Sequence, residues 1–358
     1  MSEKVNKGRL KAAGILALVL AAMIVLLLIF ELSAQGRKKS LDYMQAGDRW
    51  SADGSEYAVI NAYMEDSCAV DGDQLSQWEY LMDSALTEAA IESKEGGRPW
   101  TWSASFETQL TPMTENASAS AVTTVCAGDF FIFHTPEFIC GSGFSTDGYN
   151  PMGVVLDDDL AWKLFGSVNV VGMPIDVGGR EYIVTGVIKP ESEKGVYGHT
   201  YGDSPRMFMS GAGYAKLGEC RFTVYETALP DPVKSFAKNI FDSVVRLNEE
   251  NSEVIEVTDR FSLKSRFSNM KELKYSWIRL NRIEYPYFEN EARVYDYRSA
   301  RLMIIEIIAA AVGAAALLGA VVMLVISGYS PITSLKNLFT KAKKTSESRK
   351  NKPKEVLK

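Results

Sequence analysis

Histidine is nearly absent from these 358 residues: there are two, His134 and His199. Neither has an acid or a cysteine at ligand spacing, and a zinc site needs about four converging ligands, so no metal centre is expected. Cysteine is scarce too. The four, Cys68, Cys126, Cys140 and Cys220, form no C-x-x-C pair. An even count permits a bridge, but a domain of this size does not require one, so mostly buried thiols are expected, with one bridge left open. No G-x-x-x-x-G-K-S/T loop is present, which excludes ATP hydrolysis by that route. Gly141-Ser142-Gly143-Phe144-Ser145 lacks glycines at both −2 and +2 of either serine, so it reads as a turn and not a hydrolase elbow. Asp157, Asp158 and Asp159 are consecutive, whereas calcium loops alternate their acids around a glycine; a helix start is the better reading. Asn116-Ala117-Ser118 matches a glycosylation acceptor, which matters only on a eukaryotic secretory route. No catalytic, cofactor-binding or metal residue is expected, and an enzyme is not.

What the chain does have is uncharged length. Ala12 to Phe30 is 19 residues without a charge, and Ile307 to Gly328 is a second such run, extended outward past Glu306 by Leu302 to Ile305. Helical, a run of about 20 residues spans a hydrocarbon core of about 30 Å. The charges divide accordingly. Residues 1–11 carry four basic residues and one acid, and residues 328–358 carry nine and two; of the 39 basic and 45 acidic residues, 26 and 42 remain for 12–327, a net of −16. An acidic middle with two basic ends does not suit nucleic-acid binding. Basic ends belong in the cytoplasm, so both termini are expected inside and the large middle outside the cell membrane. A cleaved signal peptide is the rival reading of the first run. Its length and the indifferent Leu32-Ser33-Ala34 site favour an uncleaved anchor.

The expected organisation is a tail at 1–11, a first membrane helix at 12–32, an outer region at 33–301, a second helix at 302–328 and a basic tail at 329–358. The lipid bilayer is thus a partner, and the tail at Lys341 to Lys358 reads as solvated or attracted to lipid. Small residues one turn apart, Ala13, Ala17 and Ala21 on one helix and Ala311, Ala315 and Gly319 on the other, would let backbones approach closely. Either the two helices pack on each other, or a homodimer or partner subunit uses Ala311, Ala315 and Gly319. Glu306 is expected to snorkel to the outer interface.

In the outer region, Tyr57 to Met64 reads as a strand. Gln74 to Ile91 reads as a helix with Asp73 as N-cap, Trp100 to Leu110 and Ser118 to Cys126 as strands. Val154 to Leu156 is a buried strand, followed by a helix from Asp157 to Phe165 that Gly166 stops. Val170 to Val177 and Arg180 to Ile188 are strands joined at Gly178-Gly179. Arg221 to Thr227 is a strand. Asp231-Pro232 opens a helix with Val233 on its apolar face, Ser252 to Thr258 is a strand and Ser262 to Leu280 a helix. Tyr285-Pro286 breaks the chain before a helix that enters the membrane from Glu289. The order describes an α+β part at 33–126 and 220–301 interrupted by a smaller β-rich part at 127–219.

Residues 122–188 resemble the extracytoplasmic core domain of MacB-type permeases, the FtsX-like branch of ABC transporters. The resemblance is carried by Val122 through Phe131, then Phe144 and Asp147, then Val154 to Gly166. Val171-Gly172-Met173-Pro174-Ile175, Gly178-Gly179-Arg180 and Tyr182 to Val187 complete it. It implies a porter-like α+β part with an inserted β-rich part, and mechanical work powered by an ABC ATPase or shared with a second permease subunit. No catalytic residue in the outer domain is implied. Family permeases usually carry four membrane helices, and two runs are present here, so the ATPase-gripping surface is expected to be incomplete or absent. The function expected is that of a non-catalytic subunit or partner of an ABC export system. A stand-alone extracellular ligand-binding, sensory or scaffold protein is the alternative.

Overall fold

The computed structural model describes residues 2–51, 54–91, 97–145, 151–190, 201–271 and 282–326. His199, Asp147, the end of the expected helix past 271 and the tail at 329–358 lie outside them. The chain divides into two units: residues 34–301, and residues 1–33 with 302–358.

In chain order, α1 (Ser2–Ser40) is followed by α2 (Ala46–Trp50), β1 (Tyr57–Met64), α3 (Gly72–Glu88), β2 (Thr101–Leu110) and β3 (Ala121–Gly128). Next come α4 (Phe130–Phe133), β4 (Phe138–Gly141), β5 (Gly153–Asp157), α5 (Asp158–Phe165), β6 (Pro174–Val177), β7 (Arg180–Ile188) and β8 (Arg206–Ser210). The last are α6 (Gly211–Tyr214), β9 (Val224–Pro230), α7 (Phe236–Val244), β10 (Ser252–Glu256), α8 (Leu263–Lys271) and α9 (Tyr287–Ile326).

The strands of residues 34–301 form one mixed sheet in the order β10-β1-β9-β2-β3-β8-β5-β7-β4, with β6 on β7. The strands from 33–126 and 220–301 fill one end, those from 127–219 the other. They meet where β3 runs parallel to β8, Val122 opposite Arg206.

β1 is buried on both sides, which is why nearly every residue of YAVINAYM is apolar. Its even positions, Ile60, Ala62 and Met64, pack against Trp78, Met82 and Leu86 of α3 and Phe241 of α7. Each such side chain withdrawn from water contributes about 1.5–3 kcal/mol. Its odd positions, Val59 and Tyr63, face a second core made with Tyr43, Val257, Phe261, Phe288 and Ala292. The sheet is therefore covered by α3 and α7 on one face and, on the other, by the segment after α1 together with the start of α9.

Local capping follows the sequence with some displacements. Asp157 caps α5 by accepting from the Leu160 N–H at 2.8 Å, and Gly166 ends it in the left-handed region. Gly178 and Gly179, at φ 63° and 79°, make the tight hairpin between β6 and β7 that a side chain at both positions would strain. Helix α3 is capped by Asp71, not Asp73: the earlier residue accepts from the Gln74 N–H at 2.9 Å, which starts the helix at Gly72. Helix α7 begins at Phe236, not Pro232. Asp231 still reaches the Ala237 N–H at 3.0 Å, but Val233 is left exposed before the first turn. Residues 170–173 form a turn, so β6 starts only at Pro174.

In the other unit the two apolar helices pack through a different stripe from the one expected. On α9 the covered residues are Glu306, Ala309, Gly313, Ala316 and Ala320, a 3–4–3–4 spacing that keeps one seam on a partner helix. A Cβ on Gly313 would lie 3.4 Å from Met23 Cβ, and one on Gly319 would lie 3.1 Å from a Leu16 methyl. Ala311 and Ala315 point outward, as do Ala17 and Ala21 on α1, whereas Ala13 is buried. Glu306 lies on this covered stripe and is buried, where a snorkelling side chain would be exposed.

Candidate functional site

The first turns of α9 hold a charge network against the sheet. Glu289, fully buried, receives Arg260 in a bidentate grip, Nη1 to Oε2 at 2.6 Å and Nη2 to Oε1 at 2.9 Å. Two phenols from other elements donate to the same Oε2: Tyr43 at 3.3 Å and Tyr63 of β1 at 3.1 Å. One turn on, Arg293 Nε lies 2.8 Å from Glu289 Oε1, and its Nη2 donates to Glu253 of β10 at 2.7 Å. Arg260 Nε donates to Asp296 at 2.8 Å. Residues 289, 293 and 296 share one side of the helix because they are spaced by four and three.

Burial opposes ionisation of Glu289, yet Arg260 and Arg293 hold its carboxyl below the ordinary 4.5. Burial, and then the Glu289 charge, pushes the Tyr43 and Tyr63 phenols well above their usual range, so both stay protonated and remain donors. The network continues into the sheet. Asn61 Nδ2 donates to Tyr63 Oη and to Glu226 Oε1, both at 3.1 Å, and Glu226 Oε2 lies 2.7 Å from His134 Nε2. His134, one of the two histidines, packs its ring 4.3 Å from Phe288 and 4.6 Å from Phe130.

A second fastening lies where the two ends of the sheet meet. Arg206, at the start of β8, is sandwiched between the rings of Tyr201 and Tyr287, each 4.7 Å away. It donates to Glu107 of β2 at 2.6 Å and twice to the Tyr201 carbonyl, at 3.2 and 3.0 Å. Its backbone N–H goes to Asp157 Oδ2 at 2.7 Å. Burial raises the Asp157 carboxyl to about 7, against the two backbone N–H donors that favour its charged form.

These arrangements offer charge pairing, and they tie α9 directly to three strands, β1, β8 and β10. Sequence reasoning missed them. Arg206, Glu226, Arg260, Glu289 and Arg293 belong to no motif, and the contacts among them join residues far apart in the sequence.

The residues singled out earlier fall elsewhere. Cys126 is buried, Cys68, Cys140 and Cys220 are half-buried, and all four are unpaired. Gly141 ends strand β4, and Ser142 donates its N–H to the Thr185 carbonyl, so this segment is the end of a strand followed by irregular chain. Asn116 to Ser118 sits in a turn closed by a bridge between Met113 and Ser118. Among the described residues, no group of three or more His, Cys, Asp or Glu could hold a metal ion.

An α+β outer unit bracketed by two helices long and apolar enough to cross a membrane defines a membrane protein with an outer domain. The chain belongs to the MacB-like periplasmic core domain family, whose model matches residues 13–254. The extracellular domain of the noncanonic ABC-type transporter YknZ from Gram-positive bacteria is similar at 13% identity. The match covers 55% of this chain and 99% of that one, with a TM-score of 0.39. The periplasmic region of MacB from Actinobacillus actinomycetemcomitans is similar at 13% identity, over 56% of this chain and 88% of that one, also with a TM-score of 0.39. No curated protein matches the chain.

Proposed function

We propose that the chain is a non-catalytic membrane subunit or partner of an ABC-type export system, whose outer domain binds cargo or partner proteins and exchanges motion with the membrane helices. The observation that carries this reading is α9. It is one uninterrupted helix of 40 residues, about 60 Å at 1.5 Å per residue, roughly twice the hydrocarbon thickness. Its first turns are locked to the sheet through Glu289–Arg260, Arg293–Glu253 and the Tyr287–Arg206 stack. The contacts with the sheet and the apolar run are carried by the same helix, which is what supports an exchange of motion.

In this reading ATP hydrolysis belongs to a separate ATPase, with or without a second permease subunit. Both chain ends, 1–11 and 329–358, lie in the cytoplasm and residues 33–301 outside. The outward-facing Ala311 and Ala315 offer a small-residue strip for a second copy or another membrane helix. The α+β part at 33–126 with 220–301 carries the Glu289–Arg260 and Arg293–Glu253 locks, and the β-rich part at 127–219 supplies Arg206 of the third. Cross-linking in native membranes, purification of the chain and mass spectrometry of what travels with it tests the proposal. An ABC ATPase or a second permease is the expected companion. Recovery of the chain alone, or with wall and surface proteins only, would overturn the assignment.

A further inference from the structure

Helix α9 changes chemistry along one exposed stripe. Arg298, Arg301, Ile305, Ile308 and Val312 follow one another at spacings of three, four, three and four, so they share one side of the helix. Both arginines are exposed, and the stripe continues with Ile305 at 47%, Ile308 at 58% and Val312 at 44% exposure. None of the helix's acids lies on it. Glu289 and Glu291 are buried, Asp296 is paired with Arg260, and Glu306 sits on the covered side. Neither arginine has an ion-pair partner among the described residues, and Arg301 rests over the Tyr297 ring at 5.6 Å. Residues 12–327 carry a net charge of −16, yet α1 leaves its apolar run through Arg37-Lys38-Lys39 and α9 enters its own through Arg298 and Arg301. Bases therefore gather at this end of both runs.

The aliphatic part of the stripe is an independent sign of the partner. Exposed isoleucine and valine on a helix long and apolar enough to cross a membrane face acyl chains. From Ile305 to Val312 the stripe runs about 10 Å along the axis, within the roughly 15 Å of one leaflet. Arg301 stands about 6 Å before Ile305, and Arg298 about 10 Å before it. The polar layer of a bilayer is about 5–7 Å thick, so both guanidinium groups, on long flexible stems, reach the depth of the lipid phosphates. A guanidinium grips a phosphate through two parallel N–H donors. Cations at one end and exposed aliphatic side chains along the rest complement an anionic phospholipid. A free phosphate ion would leave the aliphatic part unused.

We propose that this stripe of α9 binds one anionic phospholipid of the leaflet next to residues 34–301. Arg301 and Arg298 pair with its headgroup phosphate, and an acyl chain lies along Ile305, Ile308 and Val312. The proposal rests on the bilayer placement of α9 and needs no ATPase. The cross-linking experiment therefore bears on the transporter reading, and the titration below on the lipid.

The test is native mass spectrometry of the full chain in detergent micelles, titrated with dioleoyl-phosphatidylglycerol. A tightest site that retains one lipid is expected. Arg298→Gln with Arg301→Gln should weaken that site at least about tenfold, because both bases facing the phosphate are lost. Arg298→Lys with Arg301→Lys keeps both charges and should weaken it less than about threefold. An equal charge loss at the N-terminal end, Lys4→Gln with Lys7→Gln, should change it less than about twofold. Circular dichroism of each variant should match that of the parent. Equal binding of dioleoyl-phosphatidylcholine, displacement of the lipid by glycerol 3-phosphate, or equal weakening by the changes at positions 4 and 7 would overturn the proposal.

Discussion

Removing the carboxylate at the centre of the α9 network should loosen the outer domain by a measurable amount. Glu289→Leu deletes the group that Arg260 grips with two nitrogens and that Tyr43, Tyr63 and Arg293 also use. Breaking a buried pair from one side costs about 3–5 kcal/mol, because the other charge is left uncompensated. Arg260 retains Asp296 at 2.7 Å, which places the expectation near the lower figure, about 3 kcal/mol. At about 2–4 °C per kcal/mol for a domain of this size, the melting temperature should fall by roughly 6–12 °C. Arg260→Leu strands Asp296 and leaves Glu289 with Arg293 alone, and should cost about 4–5 kcal/mol. The double variant should cost less than the sum by at least about 1 kcal/mol, since the two changes remove the same interaction. Intrinsic fluorescence follows this domain specifically: all six tryptophans, at 50, 78, 100, 102, 162 and 277, lie in the outer unit. The acid limb of the pH profile should change too. The Glu289 carboxyl is held below its ordinary 4.5, so its stabilisation is present above that value and is lost as pH falls through the lowered value. The variant should lack that limb. Strictly additive costs, each below about 1 kcal/mol, would refute the network as the lock between helix and sheet.

Three further changes follow from other sites. Asp157, raised to about 7, binds a proton in the folded chain that the unfolded chain has released, so its ionisation lowers stability as pH climbs from about 4 to about 7. Asp157→Asn should flatten that fall while costing about 1–2 kcal/mol, because one amide oxygen cannot accept from both the Leu160 and Arg206 N–H groups; melts across this window read both effects. Arg206→Lys should cost about 2–3 kcal/mol in denaturant titration, since an ammonium cannot fill the slot between Tyr201 and Tyr287 while reaching Glu107 and the Tyr201 carbonyl. Gly141→Ala should be harsher than its size suggests, at least about 2 kcal/mol: φ is +72°, and the new methyl would meet the Thr185 carbonyl. A neutral melt would show that β4 can move off β7.

Much of the scaffold was legible because it depends on short-range rules. The two uncharged runs, the doubly buried Tyr57 to Met64, the Asp157 cap and the Gly178-Gly179 hairpin each follow from a few adjacent residues. Strand β8, Arg206 to Ser210, escaped because five buried residues between Pro205 and Gly211 carry no periodicity that separates strand from loop. Helix α7 was displaced because Asp231-Pro232 imitates a cap while the chain takes one more turn before it coils. The helix stripe shifted for a different reason. Small residues recur all round α9, and only the partner helix decides which set is covered. The charge network was the least legible, since an arginine at 260 and a glutamate at 289 show no local sign of meeting. Their pairing depends on how the end of β10 and the start of α9 are brought over one face of the sheet.

The most direct test of a membrane-anchored outer domain is the placement of residues 34–301 relative to the bilayer. Single thiols introduced as Asp73→Cys and Ser348→Cys are treated on intact cells with a membrane-impermeant polyethylene-glycol maleimide, and adducts are counted by gel shift against the parent chain. Asp73→Cys should gain one adduct over the parent and Ser348→Cys none until the membrane is permeabilised. An added adduct at position 348 on intact cells with none at 73 would contradict the topology, and with it the assignment of the acidic domain to the outer side.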